Sequence, residues 1–301
     1  MRTKIAVLAF ALLVLGIWSC ERQNDDLLLN QKEGKVTIKL TDAPFPSSEV
    51  AEANVTISSI ALKKRVHELG TDSQTGEGID SSYFVVMEKD TTINLLDLAN
   101  GITALLAEEV IPEGEYNQIR MIVTDAEIVL NDGQTFDLKI PSGSTSGIKI
   151  LIKPSLLITP GDDSELLLDF DVSRSFIAQG NYHSKGSGKG KGHWNEINGF
   201  LFKPVIRAVN QVQTGQVSGQ VTSAAGDSLA GATIYLLAGE DTISSAISSE
   251  VGYYAIIGVP EGTYSLDCAL DGYITGTYPN VVVKAGKISE RNFVLETVPA
   301  E

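Results

Sequence analysis

Residues 112–116 read Pro112-Glu113-Gly114-Glu115-Tyr116, and residues 260–264 read Pro260-Glu261-Gly262-Thr263-Tyr264. The two agree at four of five positions, and an alternating strand follows each. Proline restricts φ, glycine permits a tight turn, and tyrosine opens the next strand. After the first copy, Ile119, Met121 and Val123 alternate with Arg120, Ile122 and Thr124. After the second, Tyr264, Leu266, Cys268 and Leu270 fall on one side of a strand. One turn-then-strand unit in each half of the chain predicts two β-sandwiches of related design.

Working outward, Val36, Ile38 and Leu40 alternate with Thr37 and Lys39, and Val55 and Ile57 repeat the pattern. Val217 and Val221, then Ile234 and Leu236, do the same in the second half. Turn signals separate these runs at Ala225-Gly226-Asp227, Glu250-Val251-Gly252 and Asp271-Gly272. Residues 103–110 read as a helix, with Leu105-Leu106 and Glu108-Glu109 on different faces. The polar stretch 211–215 divides the chain into a first module over 35–210 and a second over 216–296. The expected fold is all-β: two Ig-like or transthyretin-like Greek-key β-sandwiches in tandem, with one short helix in the first. Tyr116 and Tyr264 resemble the tyrosine corner of such sandwiches, where the hydroxyl ties the strand to the preceding connection.

The chain of 301 residues is 43% hydrophobic and 20% charged, enough for two packed cores. Its 38 acids against 23 bases give a net charge of −15, which argues against nucleic acid as a general partner. Two cysteines and three histidines leave little material for a zinc site or a disulfide framework.

Arg2 and Lys4 precede an apolar run from Ile5 to Ile17, too short to span a bilayer but long enough for a signal-peptide core. The run ends in Ile17-Trp18-Ser19-Cys20, which resembles the lipobox of the bacterial lipoprotein family. That resemblance implies removal of residues 1–19 and acylation of Cys20 with fatty acids such as palmitate. An ordinary secretory signal with a chance cysteine is the alternative. Residues 20–34 read as a polar, acidic tether. Gln23-Asn24-Asp25-Asp26 resembles the short acidic export signals of Bacteroidetes lipoproteins. The implied address is the outer membrane of a diderm envelope, lipid-anchored and facing either the cell surface or the periplasm. Removing residues 1–19 takes away two bases and no acids, which leaves −17.

Two further resemblances cover the rest. Residues 216–296 resemble the carboxypeptidase regulatory-like domain, a transthyretin-type sandwich. The residues that carry this are Val217-Ser218-Gly219-Gln220-Val221, Leu229-Ala230-Gly231-Ala232-Thr233-Ile234, Gly252-Tyr253-Tyr254 and the second PEGxY turn. The resemblance implies a folding partner, spacer or adhesion module without peptidase chemistry. Residues 35–209 resemble domain of unknown function 4382. The motifs are Leu40-Thr41-Asp42-Ala43-Pro44, Leu95-Leu96-Asp97-Leu98, residues 114–120, Ile140-Pro141-Ser142-Gly143-Ser144, Leu168-Asp169-Phe170-Asp171 and Phe202-Lys203-Pro204-Val205-Ile206-Arg207. The segment from Ser184 to Gly192 is an insert relative to that family.

Candidate sites are few. Asp169 and Asp171 flank Phe170 on one strand, so both carboxylates share a face. Calcium would answer them, helped by backbone carbonyls or by Asp42 from another strand. Arg120 or Arg174 would do so through a bidentate pair, and a solvated face is the third option. Residues 182–194 hold the basic run Lys185, Lys189 and Lys191 between Tyr182 and Trp194. This is either a hairpin tip or a loop that contacts an anionic glycan or lipid headgroup; it lacks the spacing of a phosphate loop. His183 and His193 in the same stretch have no third metal ligand indicated. Cys268 sits in an apolar stripe and reads as a buried thiol.

No nucleophile elbow and no HExxH helix occurs. The resulting expectation is a non-enzymatic, lipid-anchored envelope protein, held to the membrane by its N-terminal lipid. Its two sandwiches would bind a glycan or protein ligand, as in adhesion. The alternative is a structural component docking to another outer-membrane protein, and an unrecognised hydrolase is the third reading. A cofactor other than the calcium considered above is not expected.

Overall fold

The computed structural model describes residues 32–43, 49–65, 83–140, 146–183 and 193–299. Among the described residues, the first module contains eleven strands. They are β1 (Glu33–Ala43), β2 (Val50–Lys64), β3 (Tyr83–Asn94), β4 (Ala104–Pro112), β5 (Gly114–Leu130) and β6 (Thr135–Asp137), followed by β7 (Ile148–Ile158), β8 (Asp163–Asp171), β9 (Phe176–His183), β10 (His193–Phe202) and β11 (Ile206–Asn210). Hydrogen bonding runs in the order β3-β2-β5-β7-β11-β8-β1-β4, with β6 on β5 and β9 paired to β10 apart. The path passes from β7 to β11 through a single parallel bridge, Ala208 to Ile152. It therefore behaves as two layers, β3-β2-β5-β7 and β11-β8-β1-β4, closed over one core.

The alternation explains that core. Val36, Ile38 and Leu40 of β1 and Leu166, Leu168 and Phe170 of β8 are fully buried. They meet Ile57, Ile60 and Leu62 of β2 and Ile119 and Met121 of β5 in one cluster. Phe170, Phe176 and Phe202 stack at one end, with centroids 5.0 to 6.4 Å apart.

The second module has β12 (Thr214–Ser223), β13 (Thr233–Ala238), β14 (Asp241–Ile247), β15 (Tyr253–Pro260), β16 (Gly262–Ala269), β17 (Gly276–Val283), β18 (Ile288–Glu290) and β19 (Phe293–Leu295). One layer is β15-β12-β18 with β19 also on β12, and the other is β14-β13-β16-β17. Val217, Val221, Ile234, Leu236, Leu266 and Cys268 lie between them, fully buried. The all-β class and the tandem sandwiches are as the alternation predicted.

The expected helix over 103–110 is corrected. This stretch is β4, paired antiparallel with β1 from Glu33–Pro112 to Leu40–Ala104, with a register shift at Ile38/Lys39. Helix-forming Leu, Ala and Glu yield here to ladder hydrogen bonds and to burial of Ala107 and Ile111. The short α-helix of this module is instead α1 (Val172–Ser175), with Asp171 as its N-cap. A 3-10 turn covers Leu95–Leu98.

Both PEGxY turns carry the chain from one layer to the other, from β4 to β5 and from β15 to β16. The Tyr116 hydroxyl donates to the Pro112 carbonyl at 2.8 Å, and that of Tyr264 to Pro260 at 2.9 Å. The same contact, four residues back, closes each corner. Burial pushes the Tyr116 phenol up from 10.0 to about 12. Tyr116→Phe and Tyr264→Phe are each expected to cost about 1 kcal/mol, additively, because the corners are far apart. The raised Tyr116 value means that the folded state holds its proton more tightly than the unfolded chain. That share of stability is complete below pH 10 and is lost as pH rises toward about 12. Urea melts at neutral and alkaline pH check both statements: a Tyr116→Phe variant that loses stability above pH 10 as steeply as the parent would contradict the second.

Candidate functional site

The acids singled out in the sequence come together at the end of β1 and β8, and each is committed to the fold. Asp169 and Asp171 are on β8 and almost fully buried, as is Asp42 on β1. The Arg207 guanidinium on the neighbouring β11 reaches Asp169 Oδ2 at 2.6 Å. Asp171 Oδ2 takes the Arg174 Nε at 2.6 Å, and its Oδ1 accepts from the Arg174 backbone N–H at 2.9 Å. Asp171 is thus both ion-pair partner and helix cap. The parallel register pairs Thr41 with Asp169 and Asp42 with Phe170. Asp42 therefore lies on the other side of β1, where Oδ1 accepts from the Val172 N–H at 3.2 Å.

This arrangement corrects the calcium reading of Asp169, Asp171 and Asp42. Two of the three carboxylates are answered by guanidinium groups, and the third accepts from the Val172 backbone N–H. No group of three or more His, Cys, Asp or Glu among the described residues is placed to hold a metal. Burial pushes the Asp169 carboxyl up, and the Arg207 charge opposes it. Of the two arginines named from the sequence, Arg174 is a partner. Arg120 is not; it lies over the Tyr83 ring, 4.5 Å from its centroid. Arg207 escaped notice because its partner is distant in sequence and only the β8–β11 ladder brings them level.

Sequence reasoning also missed the surface between the modules. Leu167 and Val209 are buried but belong to neither core. They meet β15: a Cβ built on Gly258, whose φ is +65°, would lie 2.7 Å from Leu167 Cδ2 and 3.1 Å from Val209 Cγ2. Gly101 likewise leaves room for Ile257 and Ala255. The link is one 3-10 turn, Gln211–Gln213, capped by Asn210. Residues Lys32–Glu301 accordingly form one compact unit. Asp169 lines a void of about 10 Å³ at this junction, with Thr41, Gly101, Ser244 and Ala255, too small for a substrate. An open groove of about 380 Å³ lies nearby, walled by Lys153, Pro154, Val212, Pro260 and Glu261.

The remaining sequence candidates are placed as follows. β9 and β10 form a hairpin whose register sets Trp194 opposite Tyr182 and His193 opposite His183. Lys185, Lys189 and Lys191, between these strands in sequence, lie outside the described residues, as does Cys20. Cys268 is fully buried, and burial pushes its thiol up to about 12, which leaves it protonated and unreactive at neutral pH.

Comparison with known proteins gives two family matches. A family model described as Domain of unknown function (DUF4382) matches residues 33–185, and one described as Carboxypeptidase regulatory-like domain matches residues 216–296. Neither description names a catalytic activity. The first match ends before β11, although β11 completes the same module. No curated protein matches the chain. Among solved structures, a type II cohesin–X-dockerin complex from Acetivibrio cellulolyticus matches at 24% identity and TM-score 0.24, over 28% of this chain and 58% of that one. The Bacillus anthracis TIE protein matches at 11% and TM-score 0.25, over 88% and 41%. GBS52, the minor pilin of Streptococcus agalactiae, matches at 11% and TM-score 0.25, over 88% and 97%. The chain spans about half the length of the first two. At these TM-scores the likenesses carry no functional argument.

Proposed function

This chain belongs to the family described as domain of unknown function (DUF4382), and from that premise we propose a non-enzymatic, lipid-anchored envelope protein. Its two docked sandwiches present a binding surface to a glycan or protein ligand. The observation that carries this reading is how the fold uses its buried reactive groups. Asp169 and Asp171 are held by arginines, Asp42 by a backbone N–H, and Cys268 is sealed in a core. What is left for function is surface, on two modules that approach closely at Gly258. Cys20, in its lipobox, would supply the anchor. Several acyl-chain anchors hold far better than one, so charge attraction to the membrane is not needed.

Cys20→Ala is expected to move the protein from the membrane fraction to the soluble one. Unchanged fractionation would remove the lipid anchor from the proposal. Retention of the full chain, in neutral detergent, on polysaccharide or envelope-protein columns tests the binding half.

A further inference from the structure

The outer face of the β3-β2-β5-β7 layer carries an unusual charge pattern. The ladders define a grid on it. One row reads Tyr83, Lys63, Gln118, Leu151 across the four strands, and the next reads Val85, Ala61, Arg120, Lys149. These positions alternate with the core residues Leu62, Ile119, Met121 and Ile150, so their side chains point away from the core. Lys153 follows two residues after Leu151 on the same side of β7.

On this module Lys35 pairs with Glu108, Lys39 with Glu165, Arg65 with Glu115, Arg174 with Asp171 and Arg207 with Asp169. Among the described residues, Lys63, Arg120, Lys149 and Lys153 have no such partner. Arg120 and Lys149 are direct cross-strand neighbours, an arrangement of like charges that weakens a sheet. Arg120 and Lys63 also share one aromatic ring, with their charged groups 4.5 and 5.5 Å from the Tyr83 centroid. The Arg120 Nε is buried without a hydrogen-bond partner. A chain of net charge −15 therefore gathers four unanswered cations on one face.

We propose that this face docks an anionic polysaccharide, whose carboxylates or sulfates lie over Arg120, Lys149, Lys63 and Lys153. The proposal rests on the binding reading above and names its ligand class. An oxyanion between Arg120 and Lys149 turns their repulsion into two charge-assisted hydrogen bonds. The cations spread over three strands about 4.8 Å apart, beyond the reach of one oxyanion, so a polymer with repeated charges fits better than a single ion. Gln118 offers a donor and an acceptor to sugar hydroxyls. The exposed apolar residues Val85 and Leu151 stand on the opposite edge strands β3 and β7, with Lys63 and Arg120 on the strands between them and Lys149 and Lys153 flanking Leu151 along β7. The face thus lacks the continuous apolar surface with which a protein enters a bilayer.

The test passes the full-length chain, in neutral detergent, over immobilised polygalacturonate, chondroitin sulfate and uncharged dextran. Retention on the two anionic polymers and not on dextran is expected, with elution by rising salt. Arg120→Gln/Lys149→Gln should weaken retention at least about tenfold, the loss of charge-assisted contacts. Lys149→Gln alone should weaken it without lowering the melting temperature, because Lys149 is exposed and its neighbour is a like charge. Equal retention of parent and double variant overturns the proposal. So does a double variant that loses binding only to phosphatidylglycerol vesicles. Dextran binding that survives the substitutions removes this face but leaves the general binding reading standing. Retention on no polysaccharide removes the glycan half of both.

Discussion

Arg207→Met is expected to destabilise the protein by about 3–5 kcal/mol, the usual consequence of leaving a buried charge without its partner. Asp169 keeps only 7% of its side chain exposed and Arg207 28%, so solvent cannot replace the lost guanidinium. The pH dependence separates this mechanism from simple loss of packing. Asp169 is an acid whose folded value is raised, chiefly by burial and against the pull of Arg207. The folded state therefore binds the proton more tightly than the unfolded chain, and its stability falls as pH rises from 3.8 through the raised value. Without Arg207 the raised value climbs further. The deficit of the variant should be largest at neutral pH and shrink as the solution is acidified. Urea denaturation across that range checks this. A deficit below about 1 kcal/mol, as for exposed pairs, or one that ignores pH, would mean that the pair is not a buried one in solution.

Gly258→Val carries the second large effect, about 2–4 kcal/mol, from two sources that act together. A β-branched residue at φ +65° is strained, and the added methyls press on Leu167 and Val209 of the other module. The form of the loss is more informative than its size. Calorimetry of the parent should show the two modules melting together, since they belong to one compact unit and meet closely at Gly258. In the variant the transition should split, with each module melting at its own temperature. A single transition in Gly258→Val at a merely lower temperature would mean that the modules are coupled through some other contact.

The sequence made some of this legible and hid the rest, for physical reasons. The PEGxY turns could be read because turn chemistry is local: Pro, Gly and Tyr act within five residues. The same holds for the alternating strands β1, β5 and β16, whose period is written in neighbouring residues. β4 was misread because Ala, Leu and Glu favour helices, and only its distant pairing with β1 decides otherwise. The shared face of Asp169 and Asp171 followed from period two. The identity of their partners did not, because Arg207 is brought level by a ladder and Asp42 is set opposite Phe170 by a register that no local pattern reveals. The cationic grid was hidden for the same cause. Lys63, Arg120 and Lys149 are scattered along the chain and become neighbours only across β2, β5 and β7. The Lys185–Lys191 run drew attention because it is contiguous.

The position of β11 bears on how the first module reaches its native state. β11 is the last strand of the module in sequence, yet it lies in the middle of the sheet path, between β7 and β8. Until residues 206–210 arrive, the two layers have no hydrogen-bonded connection, and the inner edges of β7 and β8 are open. A chain cut at residue 185, where the family match ends, would expose both edges, each a template for pairing with another molecule. The strand that closes them is followed almost at once by the 3-10 turn and the second sandwich. Closure of the first module and docking of the second are thus late, adjacent events, and the many long-range pairings that precede them make for slow folding. A protein threaded N-terminus first across a membrane would spend that interval with one edge each of β7 and β8 unpaired. Its yield would then depend on what shields those edges during passage.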